Sequence, residues 1–364
     1  MATMSSSTYP APPVSVVMPV RDEEKYLASS VDGILAQGYP GEMEVILVVA
    51  PGHDASQQIA EDLAARDPRV RVVPNPWATT PRALNIGVAA ARHDIIVRVD
   101  AHGELAPEYI ATAVELLERT GAANVGGVMD ARGRTAFEQA VAVAYTSRLG
   151  LGSSSFHLGD SPEGPADTVF LGVFRKSDLL AVDGFDVTFD RAQDWELNYR
   201  LRQAGRQVWF SPRLRVTYRP RSTVGALARQ FFRTGQWRRE VMRRHRDSVS
   251  LRYLAAPLTV SASVIGAALG IAGAVRALAG ILPGADSRRP GGQWMLAGWG
   301  LPLGYAAAIT VGSVAMRRPM PRQVRRRLPL VLAVMHFSWG AGFLVGLPRR
   351  HRDTGDAGQP PLIE

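Results

Sequence analysis

Cysteine is missing from all 364 residues, which excludes a disulfide scaffold, a thiolate zinc site and a thiol nucleophile. Aromatic residues are scarce at 7%, so the cationic character is not matched by a broad set of stacking groups. The 42 basic residues, mostly arginine, exceed the 33 acidic ones and give a formal net charge of +9. Such a balance suits nucleic acid, anionic headgroups or a phosphorylated substrate, and the location of the charge has to choose among them. Met1 to Pro13 is Ser/Pro-rich and carries no basic region followed by an apolar core. No secretory signal is therefore expected, and the first folded part should stay in the cytoplasm. The length suggests two parts.

What is present begins with strand and helix in alternation. Val14 to Val20 is apolar, and the charged run Arg21-Asp22-Glu23-Glu24-Lys25 follows it. A helix then carries Tyr26, Leu27, Val31, Ile34 and Leu35 at spacings of three and four. Met43 to Val49 reads as a strand covered on both faces, with Ala50-Pro51-Gly52-His53-Asp54 as its exit turn. Ser56 to Arg66 reads as a helix, Val70 to Val73 as a strand and Pro81 to Arg92 as a helix. The alternation predicts an α/β fold on a doubly wound, mostly parallel sheet. Pro107 to Thr120 continues as a helix, Asn124 to Asp130 as a strand and Thr168 to Phe174 as another, while Arg132 to Pro165 is mixed, with loop character in parts.

Two acidic places carry chemistry. The β-branched run Ile95-Ile96-Val97-Arg98-Val99 ends in Asp100-Ala101-His102. Ligands in open α/β sheets bind beyond the carboxyl ends of strands, so this tip is placed to hold a metal and its phosphates. A strand followed by an Asp-initiated turn is the plainer alternative. The second place is Asp190-Arg191-Ala192-Gln193-Asp194-Trp195-Glu196, where a helix from Asp194 to Gln203 would set Asp194 at its positive end, as a helix cap or as a functional carboxylate.

From Arg213 to Arg246 the chain turns basic, with Phe231, Phe232 and Trp237 among the arginines. Arginine interleaved with aromatics on a helix suits a pyrophosphate or a membrane surface. Leu254 to Val275 and Gln293 to Met316 carry no charge, and Leu328 to Leu347 has only His336 as a titratable group. Each is long enough to cross a hydrocarbon core of roughly 30 Å. Three membrane segments are expected, although abundant small residues leave the first open to a re-entrant or interfacial course. The clusters Arg238 to Arg246 and Arg317 to Arg327 fall on the cytoplasmic side, with 276–292 outside. Arg349-Arg350-His351-Arg352 would then face outward, against the same rule.

In order along the chain stand Val17-Met18-Pro19-Val20-Arg21-Asp22-Glu23, Asn75-Pro76, Arg82-Ala83-Leu84-Asn85-Ile86-Gly87, Val97-Arg98-Val99-Asp100-Ala101-His102, Gly184-Phe185-Asp186 and Gln193-Asp194-Trp195-Glu196-Leu197-Asn198-Tyr199-Arg200-Leu201. Over about residues 12 to 245 this series resembles the family 2 inverting glycosyltransferases of GT-A fold. The Asp-Ala-His form and Tyr218-Arg219-Pro220-Arg221 resemble the succinoglycan-type, ExoA-like group. The resemblance implies a nucleotide-sugar across the strand ends, its diphosphate on a divalent cation, Mg²⁺ or Mn²⁺. Asp100 and His102 stand at the metal position, with His102 in place of a second carboxylate. Asp194 resembles the catalytic base. Pro19, Arg21, Glu23, Asp54, Arg82, Asp100, Arg233 and Trp237 fall on the donor side, and Trp195 and Glu196 on the acceptor side.

Departures from the family pattern refine this. The turn that commonly offers an Asp to uracil reads Ala50-Pro51-Gly52-His53-Asp54, with Asp54 the nearby candidate, and Gln193 replaces a Glu before the base. Gln230-Phe231-Phe232-Arg233-Thr234 is part of the Gln-X-X-Arg-Trp element of processive synthases, which implies single addition. The expected activity is transfer of one sugar from a nucleoside-diphosphate donor, with UDP the expected nucleotide, to a lipid-linked saccharide. A polyprenyl-phosphate sugar synthase and a non-catalytic scaffold at the membrane are the alternatives, and nucleic acid is not an expected partner. The expected organisation is a disordered stretch over 1–12, a catalytic domain over 13–220, a basic interfacial segment over 221–252, a membrane domain over 253–348 and a tail over 349–364. The protein is expected in the plasma membrane as a multi-pass protein with its catalytic domain in the cytoplasm.

Overall fold

A run of strands buried on both faces requires a layer of helices on each side. The computed structural model describes residues 11–151, 155–158, 160–279 and 293–348. The disordered stretch expected over 1–12 lies, up to residue 10, outside the described residues, as do most of the expected outer connection (280–292) and the arginine-bearing tail from 349. One compact unit takes the chain up to Asp130 and Ser153–Tyr218; the other takes Ala131–Gly152 and Arg219–Arg349.

In the first unit the strands are β1 (Val14–Val20), β2 (Met43–Val49), β3 (Val70–Pro74), β4 (Ile95–Arg98), β5 (Glu104–Leu105), β6 (Asn124–Ala131), β7 (Gly164–Pro165), β8 (Phe170–Arg175) and β9 (Val208–Tyr218). They form one sheet in the order β3-β2-β1-β4-β8-β6-β9-β5, with β7 on β9. The first four are parallel, with Val14 opposite both Met43 and Ile95. Beyond β4 the direction changes: β8 runs antiparallel to β4 and to β6. The helices are α1 (Leu27–Leu35), α2 (Ser56–Arg66), α3 (Thr80–Ala90) and α4 (Tyr109–Thr120); after α5 (Ala136–Tyr145), which belongs to the other unit, come α6 (Lys176–Leu180) and α7 (Gln193–Gln203).

Strand alternation divides the core. Val16, Met18, Val45 and Leu47 face α1, α2 and α4, where Leu27, Val31 and Ile34 complete one apolar cluster with Ile110 and Leu117. Val17, Ile46, Val48 and Ile96 face the other way, onto Leu84 and Val88 of α3 and Leu197 and Leu201 of α7. A Cβ on Gly87 would stand 2.2 Å from Val17 Cγ1, so glycine is what allows α3 to lie on β1.

In the second unit are α5, α8 (Val224–Arg244), α9 (Leu251–Ala279), α10 (Gln293–Leu296), α11 (Gly300–Ala315) and α12 (Arg322–Val345). Within the stretch Arg132 to Pro165, read above as mixed, α5 begins at a capping box: Thr135 Oγ1 accepts from the Glu138 N–H and Glu138 accepts from the Thr135 N–H. Helix α12 is the hub of this unit and touches α5, α8, α9 and α11. A Cβ on Gly342 would meet the Phe232 carbonyl at 1.9 Å and one on Gly235 the Trp339 carbonyl at 2.0 Å, so these glycines bring α8 and α12 into backbone contact. Three helices, Leu251–Ala279, Trp294–Ala315 and Arg322–Val345, are long and apolar enough to cross a membrane.

Candidate active site

Residues 96, 98 and 100 project to one side because successive side chains on an extended chain alternate. The chain keeps this course past the end of β4, with the Val99 N–H donating to the Val17 carbonyl at 3.1 Å, and then turns, with the Gly103 N–H on the Asp100 carbonyl at 2.7 Å. Ile96 packs with Leu197 and Leu201 of α7. Asp194 precedes Leu197 by three residues and Leu201 by seven, on the same helical stripe. The stripe that seats α7 on Ile96 thereby carries Asp194 to Arg98.

Arg98 donates through Nη1 to Asp194 Oδ1 and through Nη2 to Asp100 Oδ1, the latter at 3.1 Å. Its side chain is 5% exposed, against 29% for Asp100 and 32% for Asp194. A guanidinium so buried is costly without counter-charges, and the two carboxylates supply them. The helix-cap alternative for Asp194 is not what the structure shows. Ala192, in the left-handed region at φ 62°, occupies the N-cap position, and Asp194 lies in the first turn.

His102 Nδ1 lies 2.9 Å from Glu23 Oε1. A carboxylate accepts, so Nδ1 carries the proton, and a neutral ring then keeps its lone pair on Nε2. Among the described residues no group of three or more His, Cys, Asp or Glu side chains is arranged to hold a metal ion. Asp100 and His102 instead offer a carboxylate and an imidazole from one turn, a donor pair that fits an ion taking its other ligands from phosphates and water.

The loops after β1 and β2 are stitched together by carboxylates. Asp22 Oδ1 accepts from the His53 N–H at 2.6 Å, and a Cβ on Gly52 would stand 2.6 Å from that oxygen. Asp54 accepts from the Glu24 N–H through Oδ2 and from the Ser56 N–H through Oδ1, both at 2.9 Å. The Ser56 side chain and these backbone donors hold the Asp54 carboxyl below the usual carboxylate range. Asp54, the sequence candidate for reading a base, thus has both oxygens engaged in holding two loops together.

The other sequence candidates are distributed as follows. Pro19 is on β1 opposite Val48. Arg21 donates to the Ala78 carbonyl at 3.1 Å, and the Arg82 guanidinium lies 5.2 Å from the ring centre of exposed Trp77, so both arginines meet the loop before α3. Trp195 stacks on Tyr199 with ring centres 5.5 Å apart. Glu196, placed above on the acceptor side, is 1% exposed and is held by Arg200 Nε and Nη2, each at 2.7 Å. Arg200 also donates to the carbonyls of Val182 and Gly184. The pair therefore fastens α7 to the 182–184 turn. Arg233, exposed, and Trp237, buried, are on α8 and belong to the second unit.

Sequence reasoning passed over Arg98 as a functional side chain. The available signal was a lone cation in a β-branched strand, two residues before a carboxylate. It also passed over Asn85, whose amide accepts from the Phe185 N–H and donates to the Phe185 carbonyl, both at 2.8 Å. That latch ties α3 to the Gly184-Phe185 segment and accounts for two of the motifs quoted above.

Comparisons with known proteins bear on the family and the fold. Residues 15–178 match the glycosyl transferase family 2 model. The chain is 30% identical over 343 residues to the succinoglycan biosynthesis protein ExoA of Rhizobium meliloti, covering 93% of this chain and 96% of that one. It is 24% identical over 231 residues to the dolichyl N-acetyl-alpha-D-glucosaminyl phosphate 3-beta-D-2,3-diacetamido-2,3-dideoxy-beta-D-glucuronosyltransferase of Methanococcus voltae, covering 60% and 70%. Among solved structures, the mannosyltransferase PcManGT of Pyrobaculum calidifontis, in complex with GDP-Man and Mn²⁺, superimposes with a TM-score of 0.55 at 18% identity, covering 93% of this chain and 88% of that one.

Proposed function

We propose, because this chain belongs to the family 2 glycosyltransferases of GT-A fold and within them to the ExoA-like group, that it moves a single sugar from a nucleoside-diphosphate donor to a lipid-linked saccharide, with inversion. The observation that carries the reading is the Arg98 guanidinium, which joins Asp100 and Asp194 on one side of the sheet. Asp194 takes the proton from the acceptor hydroxyl as that oxygen attacks the anomeric carbon from the face opposite the leaving diphosphate. Asp100 and His102 would hold a divalent cation, Mg²⁺ or Mn²⁺, whose charge offsets that developing on the leaving group. Arg21 and Arg82 lie at the same strand ends and suit an anionic donor.

A lipid-linked acceptor is supported by the apolar C-terminal helices and by the relative named for a dolichyl phosphate-linked sugar. The protein is then a multi-pass plasma-membrane enzyme whose sheet unit works in the cytoplasm. UDP is the expected donor nucleotide. The test is sugar transfer in purified membranes by Asp194→Asn, which keeps the shape of the base and removes its basicity. Transfer should fall at least a hundredfold, as for loss of a general base. Turnover near that of the unaltered protein would overturn the reading.

A further inference from the structure

Helix α12 is apolar enough to cross a membrane, but its neighbours place its two ends on the same side. At its start, Arg325 donates through Nη1 to the carbonyls of Ser313, Val314 and Met316 at 2.9 to 3.1 Å and through Nη2 to that of Arg318 at 3.2 Å. The start of α12 is thus fixed to the end of α11. Near its finish, Gly340 lies on the first turns of α9: a Cβ there would meet both the Ala256 carbonyl and Val260 Cγ2 at 2.6 Å. The last turn of α12 is held by α8, the helix that leads into α9. Arg239 donates to the carbonyls of Phe343 and Leu344, and Gln236 to that of Gly346 at 2.7 Å.

The turn that leads into α11 meets the second half of α9: Gly298 lies on the Gly266 carbonyl, Trp299 covers Gly270, and Leu301 at the start of α11 also lies against Gly266. Residues 280–299, which include α10, stand between the two helices, and α11 runs from this level back along α9, so the pair forms a hairpin. The start of α9 and the end of α11 are therefore its two open ends, on one side of the bilayer. A third helix that crossed from the end of α11 would bring its last turns beside the far end of α9, near Val275. Gly340 instead meets Ala256, only five residues, about 8 Å, into α9.

We propose that, among the described residues, α9 and α11 are the only crossings and that α12 lies across the open ends of this hairpin, in the cytoplasmic leaflet, with the tail from residue 349 in the cytoplasm. An apolar helix can lie there because α5 and α8 cover it. Its buried residues Val324, Leu328, Val331, Leu332 and Met335 form a stripe at helical spacing, while Leu330, Leu344 and Val345 are exposed as a lipid-facing set. His336 fastens α12 to its neighbours. Its Nε2 donates to the Leu149 carbonyl at 2.8 Å, so Nδ1 accepts from the Tyr305 hydroxyl at 2.9 Å, and one imidazole ties α12 to α11 and to the segment after α5. The exposed Arg322, Arg326 and Arg327 at the start of α12 then meet the anionic cytoplasmic leaflet, in agreement with the positive-inside rule.

The absence of cysteine makes the test direct. Single variants Ser287→Cys, Met320→Cys and Thr354→Cys of the full chain are exposed to a membrane-impermeant maleimide, in intact cells and after permeabilisation. Ser287→Cys should label in intact cells, and Met320→Cys and Thr354→Cys only after permeabilisation. Labelling of Thr354→Cys in intact cells would establish a third crossing and overturn the proposal, as would protection of Ser287→Cys. A green fluorescent protein fused to residue 364 gives a second readout, fluorescent if the tail is cytoplasmic and dark if it is exported. Neither readout depends on sugar transfer, so the topology and the catalytic reading stand or fall separately.

Discussion

Arg98 Nη1 donates to Asp194 Oδ1 across 96 residues of sequence, and the same guanidinium reaches Asp100. Removing this cation would leave two carboxylates facing each other in a partly buried crevice. Arg98→Met should therefore destabilise the sheet unit by about 3 kcal/mol and, by letting Asp194 drift, lower transfer about a hundredfold. Arg98→Lys should recover part of the stability and less of the transfer, because an ammonium lacks the fork that serves two partners. Thermal unfolding and a transfer assay on the same preparations check this; unchanged transfer in Arg98→Met would count against it.

The Glu196–Arg200 pair is nearly sealed from solvent on the glutamate side. Glu196→Ala leaves Arg200 with an unpaired charge in a partly buried position and should cost about 3 kcal/mol. Adding Arg200→Met to that variant should cost much less than its effect alone, since the two act as one unit. A double-mutant cycle by thermal unfolding measures the coupling, and additive losses would show that the contact carries none.

Burial pushes the His157 imidazole down to about 3 from an ordinary value of 6.5. Between those values the unfolded chain binds a proton that the folded chain does not, so stability rises with pH across this window and falls on acidification. The slope is about 1.4 kcal/mol per pH unit once below 6.5. Melting temperatures at pH 7.5 and 5 should separate clearly in the parent protein and draw together in His157→Phe.

Gly342 leaves no room for a side chain against the Phe232 carbonyl. Gly342→Leu should force α8 from α12 and lower the melting temperature of the full chain in detergent. Binding of a nucleoside diphosphate through Asp100, His102, Arg21 and Arg82, which all belong to the sheet unit, should persist. Calorimetry with UDP and Mn²⁺ alongside the melting curve separates the two effects.

Much of the fold was legible in local sequence. Val14–Val20 and Met43–Val49 read as strands because a strand buried on both faces needs a nearly continuous apolar run, and each has a single polar residue, Ser15 or Glu44. The acidic tip at Asp100 was legible because a carboxylate ends such a run. Helix α5 was not, since Ala136–Tyr145 has too little polar contrast for a helical period to show, and only its Thr135 and Glu138 capping box announced it. Nor was the antiparallel half of the sheet, because which strand pairs with β4 is a choice among distant segments.

By itself, then, the sequence determined the alternating elements, the apolar C-terminal helices and the residue types available for chemistry. Tertiary structure alone decided that Asp194 reaches Arg98, that Glu196 turns inward to Arg200 and Asp54 to backbone donors, and that α12 ends beside the beginning of α9. Periodicity is a property of neighbouring residues, whereas the partner of a buried charge or a helix end is set by packing between segments far apart in the chain.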